Sequence, residues 1–290
     1  HRRKQSSQEQ EKGTQEELSH KAADHRNTRS HTLCRNERDD KMERLKEKID
    51  SSIQSKNYGG IHEVFSAQPD SWNSIGQGEQ RSLAAHFVKC AVSHPNFLPA
   101  AFGDEQMMKI MIDALGHLPS TVEGAADSKL RQMIFDYKVN EDSEFSEAAR
   151  ILSGTRMEDD PESVYYTSAA TKCDVYVKIA ECFLEDDEIV ESDSAVTKAG
   201  SVIEGIKDPE QHVTLILRFK STYARVLDAN RKFLSAASRY HELSQSSDDV
   251  IRAEDLLTML GKAATTAILA PSGPQRHRVL GYIYNDSRLS

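Results

Sequence analysis

Apolar residues recur at three- and four-residue intervals in one block after another from Met42 to Ile283, a pattern that predicts a train of amphipathic helices. The clearest block is Ser221–Ser244. Tyr223, Val226 and Leu227 precede a polar turn at 228–232, and Phe233, Ala236, Ala237 and Tyr240 follow it. Two apolar stripes joined by so short a turn must face each other, so the stretch predicts a helical hairpin. Ala236 and Ala237, small residues between Phe233 and Tyr240, let a neighbouring helix come close.

The same pattern occurs earlier. Leu130, Met133, Ile134 and Tyr137 predict one helix, and Phe145, Ala148, Ala149 and Leu152 answer it across a short acidic turn. Phe145, Ala148 and Ala149 stand 88 residues before Phe233, Ala236 and Ala237, so a middle copy belongs between them. It is read as Cys173, Tyr176, Val177, Ala180, Phe183 and Leu184, a turn at 185–188, then Ala195, Val196, Ala199, Val202 and Ile203. Tyr176-Val-Lys-Ile-Ala matches Tyr223-Ala-Arg-Val-Leu at a 47-residue offset. Three hairpins with a period near 44 residues predict an all-α fold, a right-handed α-solenoid of TPR-like helical hairpins in which each unit buries its stripe against its neighbours.

Upstream, Met42, Leu45, Ile49 and Ile53 predict a helix stopped by Gly59 and Gly60. Leu83, Phe87, Val88 and Ala91 predict another, and Met107, Met108, Met111, Ile112 and Leu115 a third whose methionines are core. Trp72 is read as the anchor of the loop around it, 120–127 as a linker, and 151–171 as a long loop between hairpins. Downstream, a stripe from Ala253 to Ile268 stops at Pro271–Pro274, and Val279, Leu280 and Ile283 open a last helix. No strand pair is predicted.

Composition sharpens this picture at the N-terminus. Residues 1–50 hold 13 Lys or Arg against 11 Asp or Glu, within a chain of 290 residues whose net charge is −9, so the remainder is acidic. Residues 1–40 are polar without sustained period and are expected to be a disordered tail. An acidic body repels a nucleic-acid backbone, and the densest basic run in it, Gln275–Arg278, is small. No stretch approaches 18 consecutive apolar residues, so no spanning helix is expected. Cys34, Cys90, Cys173 and Cys182 have no paired spacing, which argues against a zinc knuckle or a disulfide framework; Cys173 and Cys182 fall on an apolar stripe and are read as core.

Motifs for catalysis fail one by one. His62-Glu63 and His241-Glu242 begin like a zinc-protease helix, but Ser66 and Gln245 stand where the second histidine belongs. Gly76-Gln77-Gly78 lacks the third glycine and the flanking strand of a phosphate loop. The acidic clusters at 158–160, 185–188 and 248–249 lack the alternating ligands of a calcium loop and are read as turns. No catalytic, cofactor-binding or metal-ligating residue is assigned, and no cofactor is expected. The reading is a non-enzymatic binding or scaffold protein.

The strings KCDVYVKIAECFLEDDE (172–188), YARVLDANRKFLSAASRYHELS (223–244) and KAATTAILAPSGPQRHRVLGYIYNDSRL (262–289) resemble the subunit-four family of the COP-9 signalosome. It is one of the PCI-domain families shared with the proteasome lid and translation initiation factor three. The resemblance implies a helical-repeat arm leading into a PCI module with a helical part and a winged helix. The expected organisation is a polar tail over 1–40, N-terminal helical repeats over 41–127, TPR-like hairpin repeats over 128–250 and the start of the PCI helical region over 251–290. The chain stops where the winged helix is expected, so the PCI module reads as truncated.

The resemblance also implies a function: a non-catalytic scaffold subunit of the complex that deneddylates cullin-RING ubiquitin ligases. Its partners would be other signalosome subunits and, as substrate of the complex, the cullin-RING ligase, with neither nucleic acid nor membrane, in the cytoplasm and nucleus. The alternatives are a related proteasome-lid regulatory subunit and a stand-alone helical-repeat adaptor that binds peptides. Arg225, Arg231, Lys232, Arg276 and Arg278, charged and expected at exposed turns, are the candidate subunit contacts.

Overall fold

The computed structural model describes residues 38–66, 71–94, 96–246 and 251–289. The tail expected over 1–40 lies outside them up to residue 37, as does Cys34, and residues 38–40 open the first helix. The described residues are all-α, with no β-strand and one isolated bridge between Glu158 and Tyr166. None of their helices is long and apolar enough to cross a membrane. The chain divides into two compact units between Val122 and Glu123, inside the linker read at 120–127.

The first unit holds α1 (38–55), α2 (Tyr58–Val64), α3 (Gln77–Ser93), α4 (Leu98–Ala101) and α5 (Glu105–Gly116). Its core is Ile49, Ile53, Ile61, Leu83, Phe87, Leu98, Met107 and Met111, all but closed to solvent, so the methionines are core as their spacing predicts. The Phe65 ring lies 5.1 Å from both Phe87 and Trp72, and Trp72 meets the His117 ring edge-on at 5.2 Å. The expected stop at Gly59 and Gly60 is corrected: both glycines lie inside α2. What ends α1 is Lys56, whose φ of 54° is left-handed. Lys56 N–H donates to the Ile53 carbonyl and Asn57 N–H to that of Ser52, at 3.2 and 2.8 Å. These two bonds satisfy carbonyls that the helix end would leave orphaned. Gly60 is needed for a different reason, since a Cβ there would collide with the Ser52 hydroxyl.

The second unit holds α6 (Ala126–Tyr137), α7 (Phe145–Ser153), α8 (Ala169–Glu185), α9 (Ile189–Ile203), α10 (Val213–Ala229), α11 (Phe233–Ser244), α12 (Ala253–Leu269) and α13 (Pro274–Tyr284). Each helix packs on the next, and α8 also on α10 and α11 on α13, the nearest-neighbour pattern of a solenoid. The hairpins repeat with an even period. Helices α7, α9 and α11 start at Phe145, Ile189 and Phe233, 44 residues apart, and the left-handed residues Ser143, Asp187 and Arg231 keep the same step. After α8, Glu188 N–H donates to the Phe183 carbonyl at 2.8 Å; after α10, Lys232 N–H donates to that of Leu227 at 2.9 Å. These are one helix-ending motif used twice. After α6 the bond runs from Glu144 to Lys138 and spans one residue more, because residues 138–142 form a turn of π-helix that absorbs an extra residue.

Burial follows the same step. Ala148, Ser192 and Ala236 are closed to solvent, and so are Leu152, Val196 and Tyr240. The middle copy is therefore in register at 44 residues, and the 47-residue match of Tyr176 with Tyr223 is a coincidence of composition. Ser192 stands where the other copies have alanine. It fits because its hydroxyl donates to the Ala180 carbonyl at 2.7 Å, which gives a buried polar group its partner. Tyr223 packs against core residues of both the middle and the last hairpin and so joins their cores.

Between α7 and α8 the long loop is packed rather than loose. Tyr165 is buried with its hydroxyl donating to Asp127 at 3.0 Å, and buried Lys172 reaches Asp159 at 2.6 Å. In α12, Leu256, Leu260, Ala263 and Ala267 are buried, but Ile268, which the periodicity placed with them, is 60% exposed. It is the residue next to buried Ala267 and projects about 100° away from it around the helix.

Candidate interaction surface

The five basic residues singled out from the sequence have different surroundings. Arg225 sits within α10, not at a turn, and its guanidinium donates to Glu185 at 2.7 Å. Lys232, at the α10–α11 turn, faces Asp193 of α9 at 3.5 Å. Both therefore tie the last hairpin to the middle one. Arg231 is exposed at the left-handed position of that turn. Arg276 and Arg278 lie on α13: Arg278 is exposed, whereas Arg276 is half-buried with its Nε closed to solvent and without a hydrogen-bond partner.

The joint between hairpins is made by residues the sequence reading did not single out. Arg218 of α10 grips Glu181 of α8 with two donors, Nε at 2.9 Å and Nη2 closer, and its Nη1 reaches Asp174 at 3.1 Å. The Thr222 hydroxyl adds a bond to Glu181 at 3.0 Å. The hydrogen bonds that Arg218 donates to Glu181 hold its guanidinium further toward its charged form than usual. A signal for this joint is present in the sequence, since Asp174 and Arg218 are opposite charges one 44-residue period apart.

Two clefts open on the hairpins. One, of about 500 Å³, lies between α7, α8 and α9; Met157, Tyr176, Ile179 and Phe183 line its apolar part, and Arg150, Glu191 and Lys198 its polar part. Arg150 is steadied by Glu188 at 2.6 Å, and Val190, among the lining residues, is 76% exposed. The other, of about 380 Å³, lies between α6, α8 and α10, where Phe135, Val139 and Phe145 meet the Arg218–Glu181 joint. Cys182 lines it, but burial, followed by the nearby Glu181 charge, pushes its thiol up to about 12, so it is not a ready nucleophile. Apolar clefts rimmed by charges of both signs suit protein contact.

The failed zinc-protease starts stay apart. His62 faces Asp104 at 3.9 Å, and the His241 ring stacks on Tyr282 at 6.2 Å. Among the described residues neither joins a cluster of metal-ligating side chains.

Residues 120–250 match the family described as PSMD12/CSN4, N-terminal. The chain is also similar to proteins named COP9 signalosome complex subunit 4: 38% identical over 154 residues to that of Arabidopsis thaliana, 34% over 144 to that of Neurospora crassa and 34% over 145 to that of Drosophila melanogaster. Each match covers about half of this chain, 51%, 50% and 50% respectively, and 37%, 31% and 33% of the relative. The matched part thus spans about a third of the length of these curated relatives.

Proposed function

We propose, from the premise that residues 120–250 match the family described as PSMD12/CSN4, N-terminal, that this chain is a scaffold subunit of a COP9 signalosome. In that role it performs no chemistry of its own and supplies a helical arm to the complex that deneddylates cullin-RING ubiquitin ligases. The observation that carries the reading is that the matched segment lies almost wholly in the unit built of stacked hairpins. Its ion pairs run between neighbouring hairpins, and its clefts remain open toward solvent. A stiff array of this kind presents extended surface to protein partners. The acidic balance of the chain favours a basic partner. Residence in cytoplasm and nucleus, where such ligases work, belongs to the same proposal.

A second reading is favoured by the family description itself, which names PSMD12 beside CSN4: a proteasome-lid subunit. Affinity purification of the tagged full-length protein from its own cells separates the two. Recovery in a large assembly that removes the ubiquitin-like modifier from cullins supports the proposal. Recovery with proteolytic particles supports the lid reading, and a monomer bound to single peptides supports a free-standing adaptor; either would overturn the proposal. Charge reversal at Arg276 and Arg278 is expected to weaken capture of partner subunits, with the melting temperature unchanged for the exposed Arg278 alone, and undiminished capture would remove α13 from the contact surface.

A further inference from the structure

In the first unit the fold brings three different metal-ligating side chains to one point. Asp50 comes from α1, and His86 and Cys90 stand one helical turn apart on α3, so the last two project from the same face. His86 Nε2 lies 2.9 Å from Asp50 Oδ1, Cys90 Sγ lies 3.2 Å from the same oxygen, and Sγ and Nε2 are 3.6 Å apart. With the bond lengths usual for zinc, a tetrahedral centre needs edges of about 3.3 Å (N to O), about 3.5 Å (S to O) and about 3.6 Å (S to N). The triangle is within a few tenths of an ångström of that shape, and rotations about side-chain bonds supply the rest. The backbone beneath it is fixed, because the neighbours Ile49, Phe87 and Ala91 are fully buried. The fourth direction is open to solvent: the Asp50 and His86 side chains are 44% and 25% exposed.

We propose that Asp50, His86 and Cys90 bind one divalent cation of the zinc class, with water as fourth ligand, and that the bound ion pins α1 to α3. The donor set names the class. One thiolate and one imidazole suit zinc or cobalt, while calcium and magnesium require oxygen donors throughout. On binding, the Cys90 thiol gives its proton to solvent as the sulfur–metal bond forms, and the hydrogen bonds within the triangle are exchanged for three ligand bonds. The site lies outside the segment that matches the family, and it is independent of the scaffold reading.

Cobalt titration of the full chain tests this, because cobalt bound to a thiolate shows a charge-transfer absorption in the near ultraviolet. The expected result is one Co²⁺ per chain with that band, displaced by Zn²⁺, and a melting temperature that rises with Zn²⁺. Cys90→Ala keeps Cys34, Cys173 and Cys182 and should lose the band. Asp50→Ala, at a half-exposed carboxylate, should fold normally and weaken Co²⁺ binding by at least about tenfold, the low end of what even an outer-shell loss costs. No thiolate band in the parent chain, or a band and affinity that survive Cys90→Ala, would overturn the proposal. Should Cys90→Ala lose its helical circular dichroism, Asp50→Ala decides, and unchanged affinity in that variant is equally fatal.

Discussion

In the second unit, Ser143, Asp187 and Arg231 turn the chain at even 44-residue steps, and five residues after each a small residue is sealed against a neighbouring helix. Among its described residues the first unit uses the same helix-ending device at Lys56, but closes its core differently: the Phe65 ring meets those of Phe87 and Trp72, with His117 against the indole. A repeated unit buries its stripe only against its neighbours, so each hairpin depends on the next one. An aromatic cluster has no such direction. The difference teaches what each build can offer: a surface that can be extended by repetition is suited to bridging partners, and the family match falls on the repeated unit.

Truncation gives the largest effect and sharpens the contrast through its spread. Tyr240 is buried and faced by Lys262 of α12 at 5.7 Å from its ring. Tyr240→Ala should cost about 3–5 kcal/mol by analogy with other buried aromatics, and Phe87→Ala in α3 should cost about as much. In hydrogen-exchange mass spectrometry the first should loosen α10, α11 and α12 together, and the second only the ring cluster of its own unit. Equal spread would break the comparison.

Next in size is overpacking. Ala236→Phe places a ring where the hairpin has no room and should lower stability by about 1–3 kcal/mol in chemical denaturation; no change would refute the close approach at that position. The turns come third. Arg231→Val puts a β-branched residue at φ 57° and should lower stability by about 1–2 kcal/mol. Arg231→Gly relieves the same constraint and should raise it by up to about 1 kcal/mol. A left-handed position that tolerated valine without loss would not be the repeated turn described above.

The smallest effect is with acid. In the second unit the carboxyls of Glu144, Asp186, Glu242 and Asp286 are held below their ordinary range by hydrogen bonds from Lys138, Ser146, Lys220 and Arg288 respectively. Glu63, held low by Lys48, is the first unit's example. A carboxyl lowered in the fold contributes stability that is present above its unfolded value, near about 4, and that is lost as pH falls through the folded value. Asp228 runs the other way, raised by burial, and offsets part of this. These groups are mostly exposed, so the loss is modest, but below about pH 4 it should fall more on the second unit than on the first. Unit-resolved hydrogen exchange at falling pH checks the order, and earlier opening of the first unit would contradict it.

How much of this was legible in the sequence follows from residue chemistry. Phe145 and Phe233 marked two helix starts because an apolar residue followed by an alanine pair makes a strong stripe. The middle copy shows the period near 44 residues less clearly, because Ser192 and Asp193 replace that pair and the Tyr176–Tyr223 match falls at 47 instead. A serine counts as polar in a pattern, and only the Ala180 carbonyl reveals that it is a core residue. Helix ends were harder, since Lys56, Asp187 and Arg231 adopt a conformation usually marked by glycine, and Gly59 and Gly60 drew attention to the wrong place. Of the candidate contacts, periodicity could not show that Arg225 and Lys232 are engaged between hairpins; that depends on Glu185 and Asp193 one unit away. The Asp50–His86–Cys90 triangle hid for a similar reason. The four-residue step from His86 to Cys90 is visible, but the third ligand comes from another helix.

The most direct test of the hairpin ladder is Ser192→Phe in the full-length protein, followed by amide hydrogen exchange. Ser192 is fully buried in the middle copy, and α9 packs on both α8 and α10. Exchange should rise not only in α8 and α9 but also in α7 and α10, the hairpins on either side. A rise confined to α9 would show that the hairpins stand independently, and would contradict the ladder on which the scaffold reading is built.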